Sequence, residues 1–381
     1  MPVSADDVLA ALRGVIDPEL GDDVVSLGMV RTVTVEPEGR VGHVAVELAL
    51  TTEGCPLKVQ LRKDVEARVG AVPGVSSVKT TFGVMDRAEK SHLMDRARAK
   101  AQEGAPTTDI PTTCKVVAIA SGKGGVGKSS VTANLAVGLA LRGLTVGVLD
   151  ADIWGFSIPR MLGIDQTLEV TGTAESWSMA PVELPIGPGL VKVVSMGFLA
   201  EDSEAIMWRG LMLNRALQHF VEDVSWGAMD YLLIDLPPGT GDIQMGLARM
   251  LPRSEMIIVT TPALAAQTVA GRAADMARKG HLRVAGVVEN MSAFVCDHGT
   301  SYPLFGTGGG ARLAQQVGVP LLGQIPLEPS VAAGGDTGQP VARGDGPAAE
   351  AFRELARVVV EEAVPVVEVT GCSAASILAS L

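Results

Sequence analysis

The stretch "SGKGGVGKSS", residues 121–130, constrains this chain more than any other. It follows the apolar run "KVVAIA" and precedes the helix-forming segment "SSVTANLAVGLALRG", so it joins a strand to a helix. A loop that only turned the chain would need glycines but no charge, and the two lysines, Lys123 and Lys128, therefore imply an anionic ligand. Gly122, four intervening residues, then Gly127, Lys128 and Ser129 satisfy the spacing of a phosphate-binding loop. Along Gly122, Lys123, Gly124, Gly125, Val126, Gly127, Lys128, Ser129 and Ser130 the glycines let backbone N–H groups turn toward phosphate oxygens, and the helix N-terminus adds partial positive charge. Lys128 is placed to reach the terminal phosphates, and the Ser129 hydroxyl can ligate magnesium.

The surrounding pattern says what carries this loop. From Cys114 onward, short aliphatic runs alternate with helical segments: "KVVAIA", "LTVGVLD", "LVKVVSM", "YLLIDL", "EMIIVTT", "RVAGVVEN" and "PLLGQIP". Continuous apolar strands of this kind predict a mostly parallel sheet covered on both faces, a doubly wound α/β domain with its ligand at the carboxyl ends of the strands. Two such ends carry acids: Asp150 and Asp152 in "VLDADIWG", and Asp235 in "YLLIDLPPGTGD". Asp150 is placed either to bind magnesium or to support its loop.

Residues 1–86 read as a separate small α+β unit. Ser4 and Asp7 have capping-box spacing, and "MVRTVTVE" and "GHVAVELALT" alternate as strands. A second helix is expected with Pro56 at its first position and Cys55 at or beside its N-cap, presenting Leu57, Leu61, Val65 and Val69 as an apolar stripe. "GVSSVKTTF" supplies another strand. Residues 87–113 combine a charged, helix-prone stretch with the Pro/Thr-rich linker "EGAPTTDIPTT"; 114–365 form the phosphate-loop domain and 366–381 a tail.

A chain of 381 residues with 47% hydrophobic but only 3% aromatic content can bury large aliphatic cores in two domains. Its net charge of −12 argues against a general nucleic-acid or anionic-membrane partner, so the phosphate site must be local. "MPVSADDVLA" lacks the basic and apolar regions of a signal peptide, and no apolar run approaches the roughly 18 residues of a membrane span, so a cytoplasmic location is expected. Four scattered cysteines do not make a disulfide framework; reduced thiols are expected.

"GKGGVGKSS" resembles the deviant Walker A motif of the nitrogenase-iron-protein, MinD and ParA class of ATPases, and the likeness covers residues 114–365. It implies an ATP-dependent homodimer in which Lys123 crosses to the partner's nucleotide, with Lys123, Lys128 and Asp152 in catalytic roles. Asp152 matches the residue that orients the attacking water, Asp235 the Walker B acid that holds magnesium through water, "PPGTGD" the γ-phosphate-sensing loop, and Asn290 of "VVENMS" a reader of the adenine edge. Within the class, "DADIWGFSIPRMLG", "DLPPGTGDIQ", "TTPALAAQTVAGR" and "LFGTGGG" resemble the Mrp/ApbC branch, the iron–sulfur cluster carrier ATPases. "VIDPELGDDVVSLGMV" and "TTEGCPL" resemble the small domain of iron–sulfur assembly factors. Together these resemblances imply a homodimer that uses ATP and Mg2+, binds an iron–sulfur cluster, passes it to apo iron–sulfur proteins and hydrolyses ATP slowly.

The chain departs from that pattern at one place. The family usually has Cys-x-x-Cys after "ENMS", whereas "FVCDHGTSYPLFG" has Cys296 at the first position and Gly299 at the second. A dimer would then supply two thiolates from this loop, and His298 is an adjacent candidate ligand that would complete a set of two Cys and two His. Cys55 is a further candidate, a transfer thiol favoured by the positive end of a helix. Cys114 reads as core, and Cys372 has no assigned role. The competing reading is a MinD/ParA-like positioning switch without a cluster; it calls for a basic amphipathic C-terminus, and the final residues are uncharged.

Overall fold

The computed structural model describes residues 3–366 except 18–19, 21, 39–40, 53–54, 56, 104–105, 107, 153–154, 167–168, 174–175, 199–216, 240–241 and 297. Pro56, part of "PPGTGD" and the tail with Cys372 therefore lie outside the described residues. The chain divides into two compact units, residues 1–105 and 106–381.

The first unit opens with α1 (Ala5–Leu12). The expected capping box forms there: the Ser4 hydroxyl accepts from the Asp7 N–H at 3.2 Å, and the Asp7 carboxylate accepts from the Ser4 N–H at 3.0 Å. After the short pair β1 (Ile16–Asp17) and β2 (Asp22–Asp23) come β3 (Val30–Glu38), β4 (Val41–Leu50), α2 (Lys58–Gly70), β5 (Val75–Val84) and α3 (Arg87–Glu103). Strands β3 and β4 pair antiparallel, while β4 and β5 pair parallel with α2 as the crossover. Leu61, Val65 and Val69 of α2 are fully buried in one core with Val44, Val46 and Leu48. Leu93 and Ala97 of α3 belong to the same core. That helix is thus part of the unit, although its apolar positions are too sparse among charged residues for the sequence to separate it from the linker.

In the second unit the aliphatic runs form β6 (Lys115–Ser121), β7 (Thr145–Asp150), β11 (Gly189–Ser195), β12 (Tyr231–Asp235), β13 (Glu255–Thr260), β14 (Arg283–Val295) and β16 (Leu321–Leu327). They are joined by β10 (Val182–Ile186) and β15 (Ser301–Tyr302) in a nine-stranded sheet of order β10-β11-β7-β12-β6-β13-β14-β15, with β16 also on β14. Strands β10 and β15 run antiparallel to β11 and β14, and the other pairings are parallel. Strands β8 (Glu169–Thr173) and β9 (Ser176–Ala180) make a separate hairpin. The central strands are buried along their length, as expected of a sheet covered on both faces.

Helices α4 (Lys128–Leu141), α5 (Ile158–Leu162), α6 (Asp242–Met250), α7 (Leu264–Lys279), α8 (Gly309–Val317), α9 (Pro329–Thr337) and α10 (Pro347–Val358) belong to this unit. Helix α4 is buried almost all round because α10 packs on its outer side; a Cβ on Gly138 would come within 3.0 Å of Ala356 Cβ. Strand order then does the positioning. Strands β7, β12 and β6 are successive neighbours, so the ends carrying Asp150, Asp235 and the glycine loop lie side by side, with Asp150 and Asp235 register partners.

Candidate functional site

The loop between β6 and α4 is built on glycines with distinct duties. Gly127 is the N-cap of α4 with φ +76°, and Gly125 has φ +78°, a left-handed region where other residues are strained. At Gly122 a Cβ would lie 2.3 Å from the backbone of Val269 and Ala270 in α7, so only glycine allows that approach. Lys123, Gly124 and Gly125 are exposed, while Lys128 is 5% exposed. The two lysines occupy different settings: one on the outer limb of the loop, the other beneath it.

Beneath the loop, Asp235 is fully buried at the end of β12 and gathers three side chains from one face of α4. Its Oδ2 lies 2.6 Å from Lys128 Nζ and accepts from Ser129 Oγ at 2.6 Å, while its Oδ1 accepts from Thr132 Oγ1 at 2.7 Å. The carboxylate and the Ser129 hydroxyl are the hard oxygen donors that a small divalent cation takes, so this donor set fits magnesium. Thr132 escaped the sequence reading. The signal was available in its spacing, since it lies three residues after Ser129 and hence on the same helical face.

Asp150 is also fully buried. Its carboxylate accepts from the backbone N–H groups of Asp152, Ser157 and Ile158 at 3.2, 3.0 and 3.2 Å, and from Ser195 Oγ at 3.2 Å. Burial, and next the negative charge of Asp235 beside it, push this carboxyl up to about 7. Of the two roles open to Asp150, these contacts match support of the loop that carries Asp152. Asp152 itself is mostly buried just past the end of β7.

Asn290 lies against the phosphate loop. It is 5% exposed, and its Nδ2 donates to the Val126 carbonyl at 2.9 Å, so the amide nitrogen is engaged inside the phosphate loop. Loop and amide fit tightly: a Cβ on Gly127 would come within 2.3 Å of that nitrogen. In this structure the amide therefore acts as a brace on the loop.

Cys296 follows β14 in a turn closed by Cys296 N–H to Thr300 O at 3.0 Å and Gly299 N–H to Cys296 O at 2.8 Å. Backbone N–H groups, first that of His298 and then that of Thr300, hold the Cys296 thiol below the ordinary thiol range. The His298 side chain is exposed. Gly299, where a second cysteine was sought, has φ +80°, so the turn itself favours glycine there. Among the described residues no group of three or more His, Cys, Asp or Glu side chains is placed to hold a metal ion. Cys114 is buried, and its thiol is pushed up to about 12 by that burial, as for a core residue. Cys55 is half-buried against the core of the first unit. Because α2 opens at Lys58 with Leu57 as its N-cap, Cys55 stands two residues before the cap and not on it, which removes the capping-position argument for a favoured thiolate.

Among the described residues no helix is long and apolar enough to cross a membrane. Residues 112–360 match the family model described as NUBPL iron-transfer P-loop NTPase, and residues 5–80 match that of an iron–sulfur cluster assembly protein. The chain is 45% identical over 341 residues to the iron–sulfur cluster carrier protein of Mycobacterium bovis, covering 88% of this chain and 87% of that one. With the iron–sulfur cluster carrier protein of Deinococcus radiodurans it shares 44% identity over 357 residues, 93% of this chain and 94% of the relative. Among solved structures it is similar to a nucleotide-binding protein from Archaeoglobus fulgidus in complex with ADP, at 34% identity and a TM-score of 0.54, covering 67% of this chain and 96% of that one. A glycine loop over a buried Lys–Asp pair at the end of a parallel sheet, matched over most of the second unit, places this chain in the family of iron-transfer P-loop NTPases.

Proposed function

We propose that this chain is a homodimeric carrier that takes up an iron–sulfur cluster and passes it to apo iron–sulfur proteins, with ATP binding and slow hydrolysis gating the transfer. The observation that carries the reading is the convergence of Lys128, Ser129 and Thr132 on Asp235 beneath the glycine loop, in a chain of the iron-transfer family. The loop N–H groups and Lys128 hold the triphosphate, and Asn290 steadies the loop through Val126. Ser129, and Asp235 through water, would hold magnesium, which would neutralise phosphate charge when bound. Asp152 orients the attacking water, and Lys123, on the exposed limb of the loop, serves the nucleotide of the second copy.

The cluster is cargo. Cys296 of each copy contributes a thiolate favoured by the surrounding N–H groups, so two meet across the dimer, with His298 as the candidate that completes the set. The acidic chain, of net charge −12, works in the cytoplasm without nucleic-acid or membrane partners. Anaerobic reconstitution with iron and sulfide tests this: wild type should gain a cluster chromophore with iron and acid-labile sulfide at one cluster per dimer, and Cys296→Ala should lose it. A wild type that takes up no iron sinks the carrier reading, and equal loading of Cys296→Ala sinks the assignment of the cargo site.

A further inference from the structure

We propose that Thr132 is a positioning residue for magnesium: its hydroxyl fixes the carboxylate plane of Asp235 so that one oxygen alone, Oδ2, faces the phosphate loop. This rests on the reading of Asp235 as a magnesium-holding acid.

The two oxygens of Asp235 have separate partners. Oδ2 meets Lys128 Nζ and Ser129 Oγ, both at 2.6 Å, and these are the groups that also serve the nucleotide. Oδ1 accepts from Thr132 Oγ1 at 2.7 Å. A threonine hydroxyl has one proton, and Thr132 has two acceptors in reach, Asp235 Oδ1 at 2.7 Å and the Lys128 carbonyl at 3.1 Å. The shorter bond to the ionised carboxylate takes the proton, because charge-assisted bonds are the stronger. Thr132 is 0% exposed and Asp235 is 0% exposed, so their bond is shut away from ligand and water alike. It can persist whichever partners Oδ2 takes up.

The rest follows from helix geometry. Lys128, Ser129 and Thr132 lie on the first turns of α4, and the i, i+3 and i, i+4 spacing brings all three onto the face that meets the end of β12. Without the Thr132 bond, Oδ1 would be a buried acceptor lacking a donor, and rotation of the carboxylate would let both oxygens compete for Lys128 and Ser129. An outer partner of this kind orients a metal ligand and typically sets metal affinity by ten- to a hundredfold.

The test separates metal from nucleotide. In the full-length protein, binding of a non-hydrolysable ATP analogue is followed by calorimetry against magnesium concentration and again with chelator present. Thr132→Val, which keeps the shape and loses the hydroxyl, should raise the half-saturating magnesium concentration about ten- to a hundredfold, with nucleotide affinity in chelator unchanged. Thr132→Ser, which keeps the O–H, should follow wild type. If Thr132→Val does not fold, Thr132→Ala is read in the same way. A magnesium titration that coincides with wild type overturns the proposal, as does an equal loss with and without chelator, which marks a general structural role. Nucleotide binding that ignores magnesium in the wild type would instead sink the magnesium reading itself, and this inference with it.

Discussion

Gly127→Ala gives the sharpest test of how the loop is held. The substitution introduces two costs. A non-glycine residue at φ +76° costs roughly 1–2 kcal/mol. The new Cβ would also lie 2.3 Å from Asn290 Nδ2, which must move and thereby break its 2.9 Å bond to the Val126 carbonyl. Leaving buried polar groups without partners costs a further 1–3 kcal/mol or so, for a total of about 2–5 kcal/mol. Asn290→Ala alone loses the bond, but in the double variant the clash is gone and only the backbone cost is added. The two changes should therefore couple favourably, the double variant being about 1–3 kcal/mol better than the sum of the singles, because the lost bond is counted only once. All four tryptophans, Trp154, Trp177, Trp208 and Trp226, lie in the second unit, so urea unfolding followed by tryptophan fluorescence reports the domain that carries the loop. Additivity within about 0.5 kcal/mol, or a Gly127→Ala protein with wild-type stability and ATP affinity, would refute the reasoning.

Two further predictions concern Asp150 and Gly299. With its folded-state carboxyl raised to about 7, Asp150 keeps a proton that the unfolded chain sheds near pH 4, so its contribution is full below about pH 4 and is lost as pH rises through about 7. In nucleotide-free protein with chelator, the stability of wild type relative to Asp150→Asn should fall across that window with a slope approaching about −1.4 kcal/mol per pH unit, and a flat or rising difference would contradict the burial argument. A Cβ at Gly299 meets nothing within 4 Å, so Gly299→Cys faces only the left-handed backbone cost, roughly 1–2 kcal/mol. In the proposed dimer it should raise the loop thiolates from two to four and slow the loss of iron to a chelator; faster loss than wild type would count against Cys296 as the cargo site.

The parts of this protein legible in its sequence are those set by local physics. The phosphate loop was readable because phosphate contact demands glycines and a lysine at fixed offsets, and the strand and helix on either side are betrayed by their apolar runs. The capping box at Ser4 and Asp7 was readable for the same reason, since both partners lie within one turn. Tertiary structure decided what depends on strand order and register. Thr132 and Asp235 are 103 residues apart, and Asn290 and Val126 are 164 apart; no periodicity in the chain states that β12 lies beside β6 or that Asn290 bonds the loop. The antiparallel edges β10 and β15, and the membership of α3 in the first core, were hidden because short or charged segments carry little apolar pattern of their own. Conformation decided the remainder: "CDHG" reads as a motif short of one cysteine, whereas in three dimensions Gly299 occupies a left-handed turn and backbone N–H groups near it favour the Cys296 thiolate. Residue types declare which chemistry is possible, but only the folded backbone determines which donors reach which acceptors, because hydrogen bonds act over a few ångströms between atoms that the chain alone leaves far apart.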